Sequence, residues 1–496
     1  MLFNSYEFIF VFLPITLSIF FLLGRFGYVQ WAMGWLLIAS LIFYSWWNPA
    51  YFWLIAILII LNYLVGNYLR KLYPHSQFRR KLWLILGVVG NLSVLGYYKY
   101  ANFFIDNVNW MMDAGFPNYK IILPLGISFF TFQKIAYLVD SYQGETKKYA
   151  FLHYALFVTF YPQLIAGPIT HYKELLEQFE DKNVFRYNAQ KFALGITVFT
   201  IGLFKKVMIA DYLSPYAASV FGAAHTGQAL NFLSAWIGVL CYTFQIYFDF
   251  SGYSDMAIGL AQMVGIKLPI NFNSPYKSVD IIDFWRRWHI TLSRFLRDYL
   301  YIPLGGNRKG EIRRYVNLFL VMVIGGAWHG ANWTFVIWGT CHGIYLIINH
   351  FWRNFTERMG WVTGRAQIWM GRVLTFFCVV LAWVFFRADN IKDAAIIFKG
   401  MFGLSASSNF SLSLKPNLLV PLITAFLASW FLPNTLEFMR NYDAALNFDI
   451  KKIRIPKCLS WLSWEPRLIW SVLFGVVFLV CIFNMMKVSA FLYFQF

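Results

Sequence analysis

Residues 8–24 read FIFVFLPITLSIFFLLG, without one charged side chain, and runs of this kind recur along the chain. About 20 apolar residues is the length a helix needs to cross the hydrocarbon core of a bilayer. Inside that core only helices and closed barrels satisfy every backbone polar group. The runs do not alternate apolar with polar residues, which argues for helices over a barrel. Charged residues make up only 13% of the 496-residue chain, whereas a soluble domain carries roughly 25%. The expected fold class is an all-α polytopic membrane protein.

Candidate spans fall at 7–24, 31–47, 51–69, 82–98, 121–140, 151–166, 192–210, 230–248, 254–266, 315–327, 333–350, 373–386, 418–432 and 468–487. Several are short, broken by Pro or Gly, or charged. The expectation is about eleven full crossings, the rest being re-entrant or interfacial. No separate soluble domain and no internal repeat is evident, so residues 1–496 read as one transmembrane domain. The leader before the first span has no Lys or Arg, whereas the loop after the third reads RKLYPHSQFRRK (70–81). The positive-inside rule places that loop in the cytoplasm and the N-terminus outside. The first span lacks the basic flank and cleavage site of a signal peptide and reads as a retained helix.

The formal net charge is +19. In a polytopic chain such a surplus collects in cytoplasmic loops and meets anionic lipid. No basic soluble domain is present to bind nucleic acid. Cys241, Cys341, Cys378, Cys458 and Cys481 are singletons, a pattern that argues against a thiolate zinc site or a disulfide framework.

The most informative polar stretch is DFWRRWHITLSRFLRDYLYIPLGGNRKG (283–310). Read as one helix over 283–302, with Asp283 as N-cap and Pro303 as stop, it is amphipathic. Leu292, Phe295, Leu296, Tyr299 and Leu300 share one face, and Arg286, Arg287, Arg294 and Arg297 the other. His289 falls in the apolar arc. The expectation is a basic interfacial helix. Its arginines either anchor lipid or, with Arg294, Arg297, Arg308 and Lys309, meet the phosphates of a cytoplasmic acyl donor.

The segment GGAWHGANW (325–333) puts His329 in a stretch with no Asp, Glu, Lys or Arg between Tyr315 and Phe351. Ionisable residues at membrane depth are costly and usually face a polar path. Burial favours a neutral imidazole, the form a general base needs. From the residues alone His329 is a catalytic base, a proton relay or a packed core residue. The spacing of His329 and His342 sets them on different faces of a straight helix. HxxxH and HExxH patterns are absent, so no metal site is expected. Asp249 and Asp255, in YFDFSGYSDMAIG, are candidate polar linings of a cavity, and they keep a proton-coupled transporter open as a second reading. A scaffold whose histidines merely pack is a third.

The stretch at 283–310 followed by GGAWHGANWTFVIWGTCHGIYL resembles the membrane-bound O-acyltransferase family. The closer resemblance is to its bacterial branch, the alginate O-acetylation proteins and their peptidoglycan O-acetylating relatives. ISFFTFQKIAYLVDSYQG, FYPQLIAGPITHY, GLFKKVMIADYL, YFDFSGYSDMAIGLA, WVFFRADNIKDA and the terminal FLYFQF belong to the same likeness, which covers nearly the whole chain. One departure is His171 in GPITHY, a position where arginine is usual in that branch.

The resemblance implies a ring of helices around a thin catalytic centre, reached by a cytoplasmic funnel and an extracytoplasmic cavity. It implies that His329, in the 315–350 region, is catalytic and that His289 is the second member of the pair. His342 would be structural. No permanently bound cofactor is implied, and acetyl-CoA is the expected acyl donor. The implied setting is the bacterial inner membrane. The implied partner is a periplasmic SGNH-type transferase, and the implied final acceptor is a polysaccharide such as an alginate-like polymer or peptidoglycan. The D-alanylating relatives, with an acylated carrier protein as donor, are the alternative within the family.

Overall fold

The computed structural model describes residues 1–73, 75–147, 149–361, 364–405, 410–412, 415–448, 459, 461–485 and 491–492. Cys458 and most of the terminal FLYFQF lie outside the described residues. The regular secondary structure of the described residues is helical, with isolated bridges Leu230↔Phe410 and Pro269↔Leu446 in place of strands.

Among them, 5 helical stretches are long and apolar enough to cross a membrane: Phe8–Arg25, Tyr51–Lys71, Gln77–Met112, Ala189–His225 and Arg365–Arg387. Val29–Ser45, Pro416–Phe431 and Leu468–Asn484 are shorter apolar helices. The Tyr51–Lys71 helix shows the logic of the outer ring. Ile55, Leu58 and Asn62 are buried, while Ile57, Leu61 and Leu64 are exposed. Both faces are apolar because one meets protein and the other suits lipid.

One helix, Phe232–Met263, runs through the centre of the fold, where 230–248 and 254–266 were expected to be separate spans. From Cys241 to Met263 every residue is buried. The SGYSD stretch looks like a break in sequence. It stays helical and faces protein, not lipid: Asp255 is taken up by Lys205 and Thr435, and the Ser254 hydroxyl by Asn271. The closest neighbour is Ala189–Phe204. A Cβ added to Gly195 would stand 2.6 Å from the Gly259 carbonyl, and one added to Gly202 would stand 2.5 Å from that of Gly252. Small residues at membrane depth allow this backbone-to-backbone approach.

The helix expected over 283–302 is interrupted. Ile281–Trp285 and Ile290–Leu296 are separate helices, and a π-helical turn, Arg297–Tyr301, follows. Asp280, not Asp283, caps the first by accepting from the Asp283 N–H at 2.8 Å. The apolar arc was read correctly, since Leu292, Phe295 and Leu296 are buried. Its partner is protein: the Phe295 ring stacks 4.1 Å from Phe132 on the Ile127–Gln143 helix.

Candidate functional site

The site is built on a hairpin of Glu311–His329 and Trp333–Arg358. The chain breaks between them at Gly330 to Asn332, in the gap left between the candidate spans 315–327 and 333–350. Gly330 is extended, and the Asn332 side chain caps the second helix by accepting from the Thr334 N–H at 3.0 Å. The two helices cross at Gly326 and Gly339. A Cβ on Gly326 would run into the Phe335 carbonyl and stand 3.0 Å from the Gly339 Cα.

His329 is therefore the last residue of its helix. A helix end leaves carbonyls without an internal partner, and here another segment supplies the donors. Lys99 Nζ donates to the carbonyls of Trp328 at 2.7 Å and His329 at 2.9 Å. The Tyr100 hydroxyl donates to that of Ala327 at 2.8 Å. Both residues lie in a π-helical turn, Gly96–Tyr100, of the long Gln77–Met112 stretch. Turns of this type often mark functional positions. Reading the sequence missed them, although a lysine in GYYKY at the end of an apolar run was a visible anomaly.

The His329 ring is buried among aromatic rings: Trp328 at 5.0 Å between centroids, Trp338 at 5.1 Å and Phe386 at 5.2 Å. His289 is also fully buried, its ring 6.5 Å from that of Trp328, with Phe250 edge-on at 4.8 Å. It caps Ile290–Leu296 with a left-handed φ of 41°, and Ile290 N–H bonds back to the Asn271 carbonyl at 3.0 Å. Such a conformation is strained for a non-glycine residue and concentrates at functional positions. His342 sits 4.9 Å from Trp338, and its Nδ1 accepts from the Trp285 indole at 3.3 Å. The three histidines are thus joined through two tryptophans in a wall of aromatic rings, where hydrogen bonds and partial charges act at reduced dielectric screening.

Two cavities adjoin this centre. One of about 40 Å³ is lined by His329, Trp328, Lys99, Ser128 and Phe129, among others. Another of about 400 Å³ is lined by Lys99, Asn102, Asn332, Phe386, Arg387 and Asp389, among others. The larger is within the usual size range of a small-molecule site. Both lie at the end where the Glu311–His329 helix finishes. That helix starts beside the basic stretch 308–314, so the cavities are remote from the basic end.

The remaining site candidates are placed differently. Asp249 and Asp255 line neither cavity. Asp249 accepts from Lys206 Nζ at 2.6 Å and from the Leu492 N–H at 3.0 Å. Asp255 accepts from Lys205 Nζ at 2.6 Å and from the Thr435 hydroxyl at 2.5 Å. They are buried ion-pair partners that tie the central helix to the π-helical turn Lys205–Ala210. The expectation of cavity-lining aspartates is corrected: their lysine partners come from a distant stretch, KKVMIA.

Arg294 grips both oxygens of Glu174, at 2.6 and 2.8 Å, and Arg297 pairs with Asp298 at 2.7 Å. Burial works against the Glu174 carboxylate, but hydrogen bonds and charge from Arg294 hold it below the ordinary carboxylate range. Arg308 and Lys309 are exposed. None of the four lines the two cavities described. His171 bonds with Tyr299 across 3.2 Å, and Tyr299 donates to Asp140 at 2.8 Å. Among the described residues, His225, Asp389 and Asp393 form the one trio of ligand-type atoms close enough to hold a metal ion. Asp393 is already engaged by His225 at 2.9 Å and by Asn390 at 3.0 Å.

Comparison with known proteins gives a consistent set. The sequence profile of the membrane-bound O-acyltransferase family matches residues 41–387. The peptidoglycan O-acetyltransferase of Helicobacter pylori is 46% identical over 439 residues, 83% of this chain and 82% of the relative. The probable alginate O-acetylase of Pseudomonas aeruginosa is 44% identical over 411 residues, 81% of this chain and 75% of the relative. The teichoic acid D-alanyltransferase of Bacillus subtilis is 29% identical over 279 residues, 54% of this chain and 70% of the relative.

Proposed function

This chain belongs to the membrane-bound O-acyltransferase family, and on that premise we propose that His329 is the general base of an O-acetyl transfer to an exported polysaccharide. The acyl donor is a cytoplasmic thioester, acetyl-CoA. The observation that carries this reading is the position of His329: a buried imidazole at the end of a helix, walled by aromatic rings and lining a cavity.

In the proposed step neutral His329 takes the acceptor hydroxyl proton while that oxygen attacks the thioester carbonyl. The C–O bond forms, the C–S bond breaks, and the imidazolium returns the proton to the leaving thiolate, giving an acetyl ester and free CoA. His289, beside Trp328, orients the donor or hydrogen-bonds the developing oxyanion, a contribution worth roughly 3 kcal/mol. The acceptor enters through the larger cavity. The donor comes from the opposite, basic end, where Arg308 and Lys309 are exposed for its phosphates. Arg294 is held by Glu174 and the exposed Arg297 by its neighbour Asp298, which favours Arg308 and Lys309 for that role.

The names of the two more similar relatives support an acetyl group and a polysaccharide acceptor. A periplasmic SGNH-type partner completes delivery, in a bacterial inner membrane with the N-terminus outside. D-alanyl transfer from a carrier protein is the weaker alternative, since the relative carrying that name aligns with only 54% of this chain. A transporter rested on Asp249 and Asp255 as free carboxylates, and both are paired with lysines.

The test is a single-turnover assay of acetyl-CoA with purified protein, its partner and its acceptor, comparing wild type with His329→Ala at matched folded amounts. CoA release by wild type alone supports the reading. No release by either protein, with a competent acceptor present, overturns acetyl-CoA as donor.

A further inference from the structure

The end of the Glu311–His329 helix has an unusual support. Helices commonly close with a left-handed residue whose own N–H groups satisfy the last carbonyls. Gly330 is extended instead, at φ −159° and ψ 151°, so the chain turns away and its donors are not used in that way. Lys99 fills the gap from the Gln77–Met112 stretch. Its Nζ reaches the carbonyls of both Trp328 and His329 and stands 3.4 Å from the Ser128 hydroxyl. The same atom lies 5.8 Å from the centre of the Trp328 ring. Lys99 also lines both cavities. A half-buried lysine at the end of an apolar helix is costly to keep, and packing alone would favour leucine or methionine there.

We propose that Lys99 is a positioning residue for His329: by holding the last two carbonyls of the helix it sets where the imidazole stands at the wall of the smaller cavity. The proposal rests on the reading of His329 as the base. The ring direction of a terminal residue follows its backbone, and a shift of about 1 Å in a catalytic group can cost about 100-fold in rate. Substrate is not held by Lys99 in this scheme, so the loss belongs in kcat and not in the KM of the acyl donor.

The experiment compares Lys99→Met, Lys99→Arg, Tyr100→Phe and His329→Ala, each normalised to folded protein by size-exclusion chromatography. Lys99→Met is expected to lower kcat by about 10- to 100-fold with the donor KM changed less than about twofold. Lys99→Arg, which keeps the donors, is expected to recover most of that loss. Tyr100→Phe, which removes only the neighbouring bond to Ala327, is expected to cost under about threefold. If Lys99→Met does not accumulate, Lys99→Gln, whose shorter uncharged side chain weakens both bonds, replaces it, with a smaller kcat loss expected and the donor KM again changed less than about twofold.

Wild-type kcat in the folded Lys99 variant overturns the proposal, as does a loss carried by KM alone. So does a Tyr100→Phe loss as large as that of Lys99→Met, because general weakening of the helix end would then explain both. Activity in His329→Ala would instead sink the reading of His329 as base. An inactive His329→Ala beside a fully active Lys99→Met removes this inference alone.

Discussion

Two buried polar regions of this protein look alike in sequence and differ in kind. On the central helix, Asp249 and Asp255 meet Lys206 and Lys205, so each charge has its opposite within 2.6 Å. Around Trp328 and Trp338, three histidines sit among aromatic rings, and one of them lines a cavity. A buried pair that satisfies itself ties helices together and offers nothing to a substrate. A buried imidazole beside a cavity keeps its chemistry available. Burial of a polar group at membrane depth is therefore not the mark of function. What distinguishes the two regions is that one is closed by its own ion pairs and the other borders a cavity.

The sharpest test of that contrast is His329→Ala, expected to lower turnover per folded molecule by about 10²- to 10⁴-fold, the range for loss of a general base. CoA release per folded molecule measures it, and the folded yield should stay near wild type. Asp249→Asn should do the reverse. Breaking one partner of a buried pair typically costs about 3–5 kcal/mol, so thermal stability in detergent should fall while surviving molecules keep their turnover. Asp249→Asn molecules that are stable but inactive would break the comparison.

His289→Gln tests the borderline case, a buried histidine that lines neither cavity described. Loss of an oxyanion donor predicts about 100-fold lower turnover at matched folded amounts. A lower folded yield with unchanged turnover would move His289 into the structural class.

Arg294→Met should be the mildest, costing about 2 kcal/mol of stability through the lost charged hydrogen bonds to Glu174. The donor KM should not move, and a large rise in it would return Arg294 to the donor site. The sign with pH follows from Glu174. Its folded value is depressed, so the pair's contribution is fully present above the ordinary carboxylate value of about 4.3. It is lost as pH falls through the lower folded value. Acid melting curves of wild type and Arg294→Met should therefore converge at low pH.

Much of the fold was legible because apolarity at helix length is a local property. The outer helices follow from their runs alone, as Phe8–Arg25 and Tyr51–Lys71 do. The central helix was misread because it faces protein along its length, so its polar residues imitated a break. The 283–302 segment was misread because a helical wheel assumes continuity. The bond from Ile290 to Asn271 and the left-handed turn at His289 decide otherwise. His329 stood out as an ionisable residue in a charge-free stretch, whereas Lys99, 230 positions away from it, gave no hint of which helix end it would serve.

By itself, then, the sequence determined a chain of apolar helices and a histidine held at membrane depth, because hydrophobic run length and the cost of burying an ionisable group are read residue by residue. Only the tertiary structure decided that Asp249 and Asp255 are spent on lysines, that Arg294 is spent on Glu174, and that Lys99 grips the end of the His329 helix. Those are pairings through space between stretches far apart in the chain. Their energies depend on distance and on the exclusion of water, which the fold creates.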